Sequence, residues 1–267
     1  MDEICNSILV VSVAVILTAQ AAPAQNAPPK LLSPPPGEAA LQPKCSCPDL
    51  RSLTNYEFSI ESATLIPANA EVPECCRVRG QIIPEIQFEV NLPATWNRRF
   101  YMFGNGGYAG ESLDAANRVA QRNAAVRKGF VVADTNTGHD AVAEPLGTFA
   151  QNRQKLLDYA FRSLHTTAQT GKRIAEAYFG AGPTRSYFEG CSTGGRQGLI
   201  LAQRFPEDFD GIVAGAPVLN FSGTMVGYAH MVQALVEAPI PYAKLSLLAD
   251  RIYTKCDEKD GWESGFE

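Results

Sequence analysis

The sequence predicts an α/β fold built on a mostly parallel sheet covered by helices on both faces, and three observations carry that prediction. From Phe130 onward, short apolar runs alternate with longer helical ones, the βαβα order of a sheet wrapped by crossovers. The runs Phe130–Asp134 and Gly211–Gly215 are short and apolar, as strands covered on both faces are. Apolar residues make up 45% of the 267, enough for a substantial core in one large domain or two small ones.

The elements follow in order. Ile8 to Ala19 is an apolar run followed by small residues at 20–24, which reads as a signal peptide over residues 1–24. It is short for a bilayer span. Asp2 and Glu3 stand where such leaders carry basic residues, so a misassigned start or an N-terminal anchor is the alternative. The expectation is export to the periplasm or medium, with no membrane association after cleavage. Residues 25–48 are rich in Pro, Ala and Gln and read as a linker. A folded α/β core is expected over 49–217. Strands are predicted in YEFSIESATLI from Tyr56, in CRVRGQII from Cys76 and in IQFEVNL from Ile86. The alternation over Gln87–Leu92 marks an edge or antiparallel strand.

Arg99–Phe103 is the next strand, closed by Gly104-Asn105-Gly106-Gly107. Asp114–Lys128 reads as a helix, with Asp114 as N-cap and Gly129 as its stop. Leu156–Phe179 is a long helical run, Arg185–Phe188 a strand, and a helix follows at about Arg196–Phe205. After Pro217 the chain turns wholly helical, over Phe221–Leu235 and Ala243–Lys255, so 218–267 is expected to be a separate insertion.

Net charge is −5 with no basic patch, which argues against nucleic acid as a partner. Seven cysteines suit an oxidising compartment. Cys45, Cys47, Cys75 and Cys76 are expected to form two bridges of unreadable pairing, though adjacent Cys75 and Cys76 are poorly placed to bond each other. Zinc is the other reading of the cluster, without Cys-x2-Cys spacing to support it. Cys191 and Cys256 are left over.

The chemistry is concentrated in Tyr187-Phe188-Glu189-Gly190-Cys191-Ser192-Thr193-Gly194-Gly195. Ser192 is centred in Gly-x-Ser-x-Gly between a strand and a helix, the context of a nucleophile elbow. A serine hydroxyl is a weak nucleophile at neutral pH; it needs a sharp, exposed turn, a nearby base and N–H donors for the oxyanion. The Thr193 N–H at the helix start is one such donor. Gly106 or Gly107, in the loop after an earlier strand, is expected to supply the second. A tight turn without chemistry is the competing reading of those glycines.

Several stretches resemble the tannase and feruloyl esterase family. They are Gly190 to Gly198, Gly104-Asn105-Gly106-Gly107-Tyr108-Ala109-Gly110, Asp134-Thr135-Asn136-Thr137-Gly138-His139 and Gln203 to Ile212. The resemblance runs from about Cys45 to the end, and its Cys-Ser-Thr-Gly-Gly run is highly specific. It implies a secreted α/β-hydrolase fold with a lid, here begun at 218–267, that cleaves small phenolic esters with Ser192 and no catalytic cofactor. It also implies a disulfide from Cys191 to a cysteine directly after the catalytic histidine. A lid calcium loop is implied at Asp257, Asp260 and Glu263; an acidic solvated tail is the alternative.

A base is the missing part. His139 and His165 precede Ser192, His230 sits in the expected lid helix, and no His-Cys pair occurs. His139 is expected to line a pocket or order a loop, and His165 to be a hydrogen-bonded structural residue. The family pattern places acid and His-Cys beyond the lid, so the sequence reads as a fold incomplete at its C-terminus and inactive alone. The alternatives are a non-catalytic secreted remnant, a ligand-binding paralogue, or a hydrolase of other aryl esters such as terephthalate monoesters.

Overall fold

The computed structural model describes residues 39–260, so the expected signal peptide lies outside the described residues. The chain divides into two compact units, Pro29–Leu219 and one holding Asn220 onward. The first is built on seven strands: β1 (Phe58–Ile66), β2 (Cys75–Ile82), β3 (Ile86–Pro93), β4 (Arg99–Phe103), β5 (Val131–Thr135), β6 (Arg185–Cys191) and β7 (Gly211–Gly215). Their order is β1-β2-β3-β5-β4-β6-β7. The pairs from β1 to β5 through β2 and β3 are antiparallel, and those of β5, β4, β6 and β7 are parallel. The α/β class is as read, with the parallel pairs gathered in the half where strands alternate with helices.

Period-2 alternation puts each strand's side chains on two faces. Phe88, Val90, Phe100, Met102, Ala133 and Phe188 pack on one face against the helices α3 (Ser163–Phe179) and α4 (Thr193–Arg204). Phe103, Val132 and Cys75 pack on the other with Val126 of α1 (Ala116–Arg127). β5 is buried along its whole length.

Three local expectations change. β3 is antiparallel but interior, flanked by β2 and β5, and its alternation is masked because nearly every residue is buried. Asp114 does not cap α1; Ala115 holds that place without a side-chain bond, and the Asp114 carboxylate is taken by Arg79. The long helix starts earlier than expected, at α2 (Arg153–Leu157), where the Asn152 side chain accepts from the Gln154 and Lys155 N–H groups. It passes through a π-helical turn, Asp158–Arg162, into α3.

The end of the expected linker is anchored. Leu41 bridges to Trp96, the Lys44 N–H donates to the Tyr178 carbonyl, and Cys47 starts a 3-10 turn running to Leu53. Cys47 bonds Cys76, and among the described residues no second bridge forms: Cys45 and Cys75 are free. Strand alternation explains why. Cys76 faces the α3 side with Cys47, while its neighbour Cys75 faces the α1 side, out of reach of Cys45. The Cys45 thiol lies instead 3.8 Å from the Ala177 carbonyl.

The second unit holds α5 (Phe221–Glu237), capped by the Asn220 side chain on the Gly223 N–H, and α6 (Tyr242–Asp260). Among the described residues no helix is long and apolar enough to cross a membrane.

The Cys47–Cys76 bridge closes a separation of 29 residues, which on chain-entropy grounds is worth about 3–4 kcal/mol. Urea unfolding should therefore show Cys76→Ser losing about that much stability and Cys45→Ser losing little. Equal losses for the two variants would contradict the assignment.

Candidate active site

β6 ends at Cys191, α4 begins at Thr193, and Ser192 is the single residue between them. Its backbone has φ 59° and ψ −117°, a region that costs an L residue on the order of 1–3 kcal/mol. The turn is held by hydrogen bonds on both sides. The Ser192 N–H donates to the Gly215 carbonyl at the end of β7, and the Ser192 carbonyl accepts from the Arg196 N–H, each at 3.0 Å. The side chain that emerges is exposed. Two glycines make so sharp a bend possible. A Cβ at Gly190 would lie 2.4 Å from the Gly194 carbonyl group, and one at Gly195 would lie 2.3 Å from the Gly215 oxygen.

The loop after β4 is pinned to the start of α4. Asn105 and Gln197, both buried, are joined twice: the Asn105 N–H donates to Gln197 Oε1 (2.9 Å), and Gln197 Nε2 donates to Asn105 Oδ1 (3.3 Å). The Gly107 carbonyl accepts from Thr193 Oγ1 (2.6 Å) and from the Tyr159 hydroxyl (3.3 Å). Gly107 and Thr193, residues expected to face one oxyanion, are therefore neighbours. The Thr193 N–H lies in the first turn of α4, where a helix has no internal acceptors for its N–H groups and its dipole is positive. Gly106 differs from expectation. Its N–H donates to Glu111 Oε1 (2.7 Å), so in this conformation it is not open to an oxyanion.

Behind this loop lies a buried chain of charges. Arg122, at 1% exposure, bridges the carboxylates of Glu89 (2.9 Å) and Asp134 (3.1 Å), both fully buried. Arg118 Nε reaches Asp134 at 3.3 Å, and its Nη1 lies 3.9 Å from Glu111. Burial pushes the Asp134 carboxyl up to about 6, against the opposing pull of Arg122 and Arg118.

Among the described residues no histidine hydrogen-bonds the Ser192 hydroxyl. His139 is buried, stacked on Phe149 at 3.9 Å, and packed so closely on Gly110 that a Cβ there would lie 2.6 Å from the ring. Burial holds its pKa below the ordinary value, so it orders the loop as a neutral ring. His165 Nδ1 lies 2.7 Å from Asp208 Oδ2, and the ring stacks on Phe205. His230 is exposed on α5. Cys191 is free and exposed. Asp257 lies in α6, whereas the Asp260 side chain and Glu263 fall outside the described residues. Among the described residues, no three His, Cys, Asp or Glu groups converge on a metal position.

Sequence reasoning missed Glu111, Gln197 and Tyr159. Gln197 stood inside the quoted motif, but its pairing with Asn105, 92 positions away, has no local signal. Glu111 was visible only as an acid directly after a glycine-rich loop.

A sequence model of the tannase and feruloyl esterase family matches residues 70–266. The chain is 33% identical over 236 residues to mono(2-hydroxyethyl) terephthalate hydrolase of Piscinibacter sakaiensis, covering 77% of this chain and 39% of that protein. Among solved structures, feruloyl esterase B from Aspergillus oryzae is 34% identical, with a TM-score of 0.56 over 66% of this chain and 38% of that one. An esterase from Aspergillus oryzae is 27% identical, with a TM-score of 0.70 over 81% and 47%. The chain spans less than half the length of each of these three proteins.

Two outcomes are expected. Gly190→Ala must push apart β6 and α4 and should cost about 1–3 kcal/mol in chemical denaturation, whereas Gly182→Ala, with nothing within 4 Å of its Cβ, should cost about 0.5 kcal/mol or less. Equal effects would mean the elbow is looser than described. The second concerns acid. Folded Asp134 takes up its proton near pH 6, and the unfolded chain does so nearer 4. Between those values the folded state binds more protons, so this group's contribution to stability falls as pH rises from 4 to 6. The wild-type stability curve, compared with that of Asp134→Asn, should carry this downward component; an upward one would refute it.

Proposed function

The chain belongs to the tannase and feruloyl esterase family, and from that premise we propose that it carries the nucleophile and oxyanion half of a serine carboxylic-ester hydrolase acting on phenolic esters. The observation that carries this reading is the exposed Ser192 at φ 59° between β6 and α4. In the reaction, Ser192 Oγ bonds the ester carbonyl carbon and its proton passes to a base. The carbonyl oxygen becomes the oxyanion, received by the N–H groups of Thr193 and Gly107, while the Gly106 N–H is held by Glu111. Collapse expels the alcohol, which takes up the proton, and water then releases the acyl group from Ser192.

The base is the part that the described residues lack. His139 and His165 are committed to Phe149 and Asp208. His230 is exposed on α5 and makes no hydrogen bond to Ser192, and on this reading the 267-residue chain alone turns over slowly or not at all. On this reading a disulfide from Cys191, free and exposed beside the nucleophile, would tie a base-bearing segment to the elbow. The Cys47–Cys76 bond supports an exported protein. A lid calcium at Asp257, Asp260 and Glu263 is part of the same proposal.

A second reading of the substrate is favoured by the name of one relative, mono(2-hydroxyethyl) terephthalate hydrolase: an aryl ester outside the hydroxycinnamic and gallic classes.

The test is release of 4-nitrophenol from 4-nitrophenyl ferulate by the purified chain, without and with added imidazole as a replacement base. Little release alone, an increase with imidazole, and loss of that increase in Ser192→Ala are expected. Release unaffected by Ser192→Ala, or absent at every imidazole concentration, would sink the proposal. Running 4-nitrophenyl gallate and a terephthalate monoester beside it ranks the substrate classes.

A further inference from the structure

We propose that Glu111 is a positioning residue for the oxyanion loop, held in place by the buried charge chain that ends at Arg118. This rests on the esterase reading above. The observation is a closed ring of contacts around one carboxylate. Glu111 Oε1 accepts the Gly106 N–H at 2.7 Å, and Oε2 accepts from Asn105 Nδ2 at 2.9 Å. The same Asn105 Nδ2 donates to the Thr135 carbonyl at 2.9 Å, at the end of β5. Arg118 Nη2 donates to that carbonyl at 3.2 Å, while Nη1 faces Glu111. The Arg118 guanidinium also lies over the Phe103 ring, 5.0 Å from its centroid, at the end of β4. The end of β4, which launches the loop, the neighbouring end of β5 and the loop's own backbone are thus joined through Glu111 and Arg118.

The ring explains how the loop can hold a useful shape. Four residues over Gly104–Gly107, three of them glycine, have little side-chain material to define a conformation, and glycine backbones are costly to order. Gln197 and Thr193 fix this loop from the side of the nucleophile helix. Glu111 fixes it from the opposite side, by occupying the Gly106 N–H and leaving Gly107 as the glycine turned toward Thr193. Its negative charge would oppose an oxyanion nearby if it stood alone. Arg118, only 3% exposed and in turn balanced by Asp134, offsets it. A carboxylate beside an oxyanion site is tolerable here because Arg118 answers its charge within the protein, beside what solvent reaches its exposed part.

Glu111 touches no reacting atom in this account, so its substitution should leave substrate binding alone and lower the rate of the chemical step. The experiment compares wild-type, Glu111→Gln and Glu111→Ala in the full 267-residue chain. Hydrogen exchange is followed by mass spectrometry on peptides covering residues 100–115 and 193–204, together with imidazole-assisted turnover of 4-nitrophenyl ferulate. Expected for Glu111→Ala are at least about tenfold faster exchange in 104–110, unchanged exchange in α4, and a kcat lower by about 10–100-fold with KM within about twofold. The upper end approaches the loss of a whole oxyanion donor. Glu111→Gln, which keeps the size and one acceptor, should fall between the two.

Wild-type exchange in the loop, exchange raised evenly through the chain, or an unchanged kcat would each overturn the assignment. If the wild-type chain shows no Ser192-dependent turnover, the esterase reading fails. The loop exchange then decides by itself whether Glu111 holds this segment.

Discussion

The structure of the first unit turns on one steric condition: β6 must reverse into α4 within a single residue. The strand carries Gly190 because no side chain fits against the Gly194 backbone, and the helix carries Gly195 because none fits against β7; Gly194 lies close to the Asn105 backbone of the β4 loop. The condition leaves Ser192 no choice of conformation. Its positive φ is sustained by the Gly215 carbonyl in front and the Arg196 N–H behind, both parts of regular elements. Strain at Ser192 is thus stored against the sheet, and the outcome is a hydroxyl held in solvent at the positive end of a helix.

Everything else near the site adapts to that bend. The β4 loop is drawn against α4 by the paired Asn105 and Gln197 carboxamides, a neutral contact sealed from water. On its far side the loop meets a run of alternating charges through Glu111, Arg118, Asp134, Arg122 and Glu89. Isolated, any of the four buried ions, Arg118, Asp134, Arg122 and Glu89, would be very costly. Arranged in sequence, each carboxylate is held by at least one guanidinium, and Asn91 donates a further hydrogen bond to Glu89. The chain crosses from β3 to the loop through α1 and β5, which suggests why α1 buries two arginines rather than apolar residues. They link the antiparallel half of the sheet to the half that carries the chemistry.

Much of this fold was legible from local patterns. All seven strands were readable because apolar runs bounded by Gly, Pro and Asn mark strand ends independently of tertiary context. The elbow was readable because its glycines stand next to the serine in sequence. What was not legible depended on partners far apart. Asp114 carries the chemistry of an N-cap, but a guanidinium from β2 outbid the helix N-terminus for its carboxylate. β3 alternates as an edge strand would, yet its polar positions include Glu89 and Asn91, which are buried inside the charge chain. The cysteine pairing needed the knowledge that Cys75 and Cys76 face opposite sides of the sheet. Of the site itself, the residues on the bend were visible, and those that hold the loop were not.

The absence of an imidazole at Ser192 bears on what the described part of the chain can do. An elbow and N–H donors lower the energy of a tetrahedral intermediate, but they do not remove the serine proton; that step needs a base of suitable pKa within hydrogen-bond reach. Neither buried histidine can be recruited by a small movement. His139 would have to leave its stack on Phe149 and its seat against Gly110, exposing an apolar pocket and vacating the loop that Glu111 also braces. His165 would have to give up Asp208 and Phe205. Both rings hold structure in place. Among the described residues the bend and the loop around Ser192 are held in place, and the two histidines of the first unit serve that packing rather than the serine. Cys191, next to it in the chain, is free and exposed.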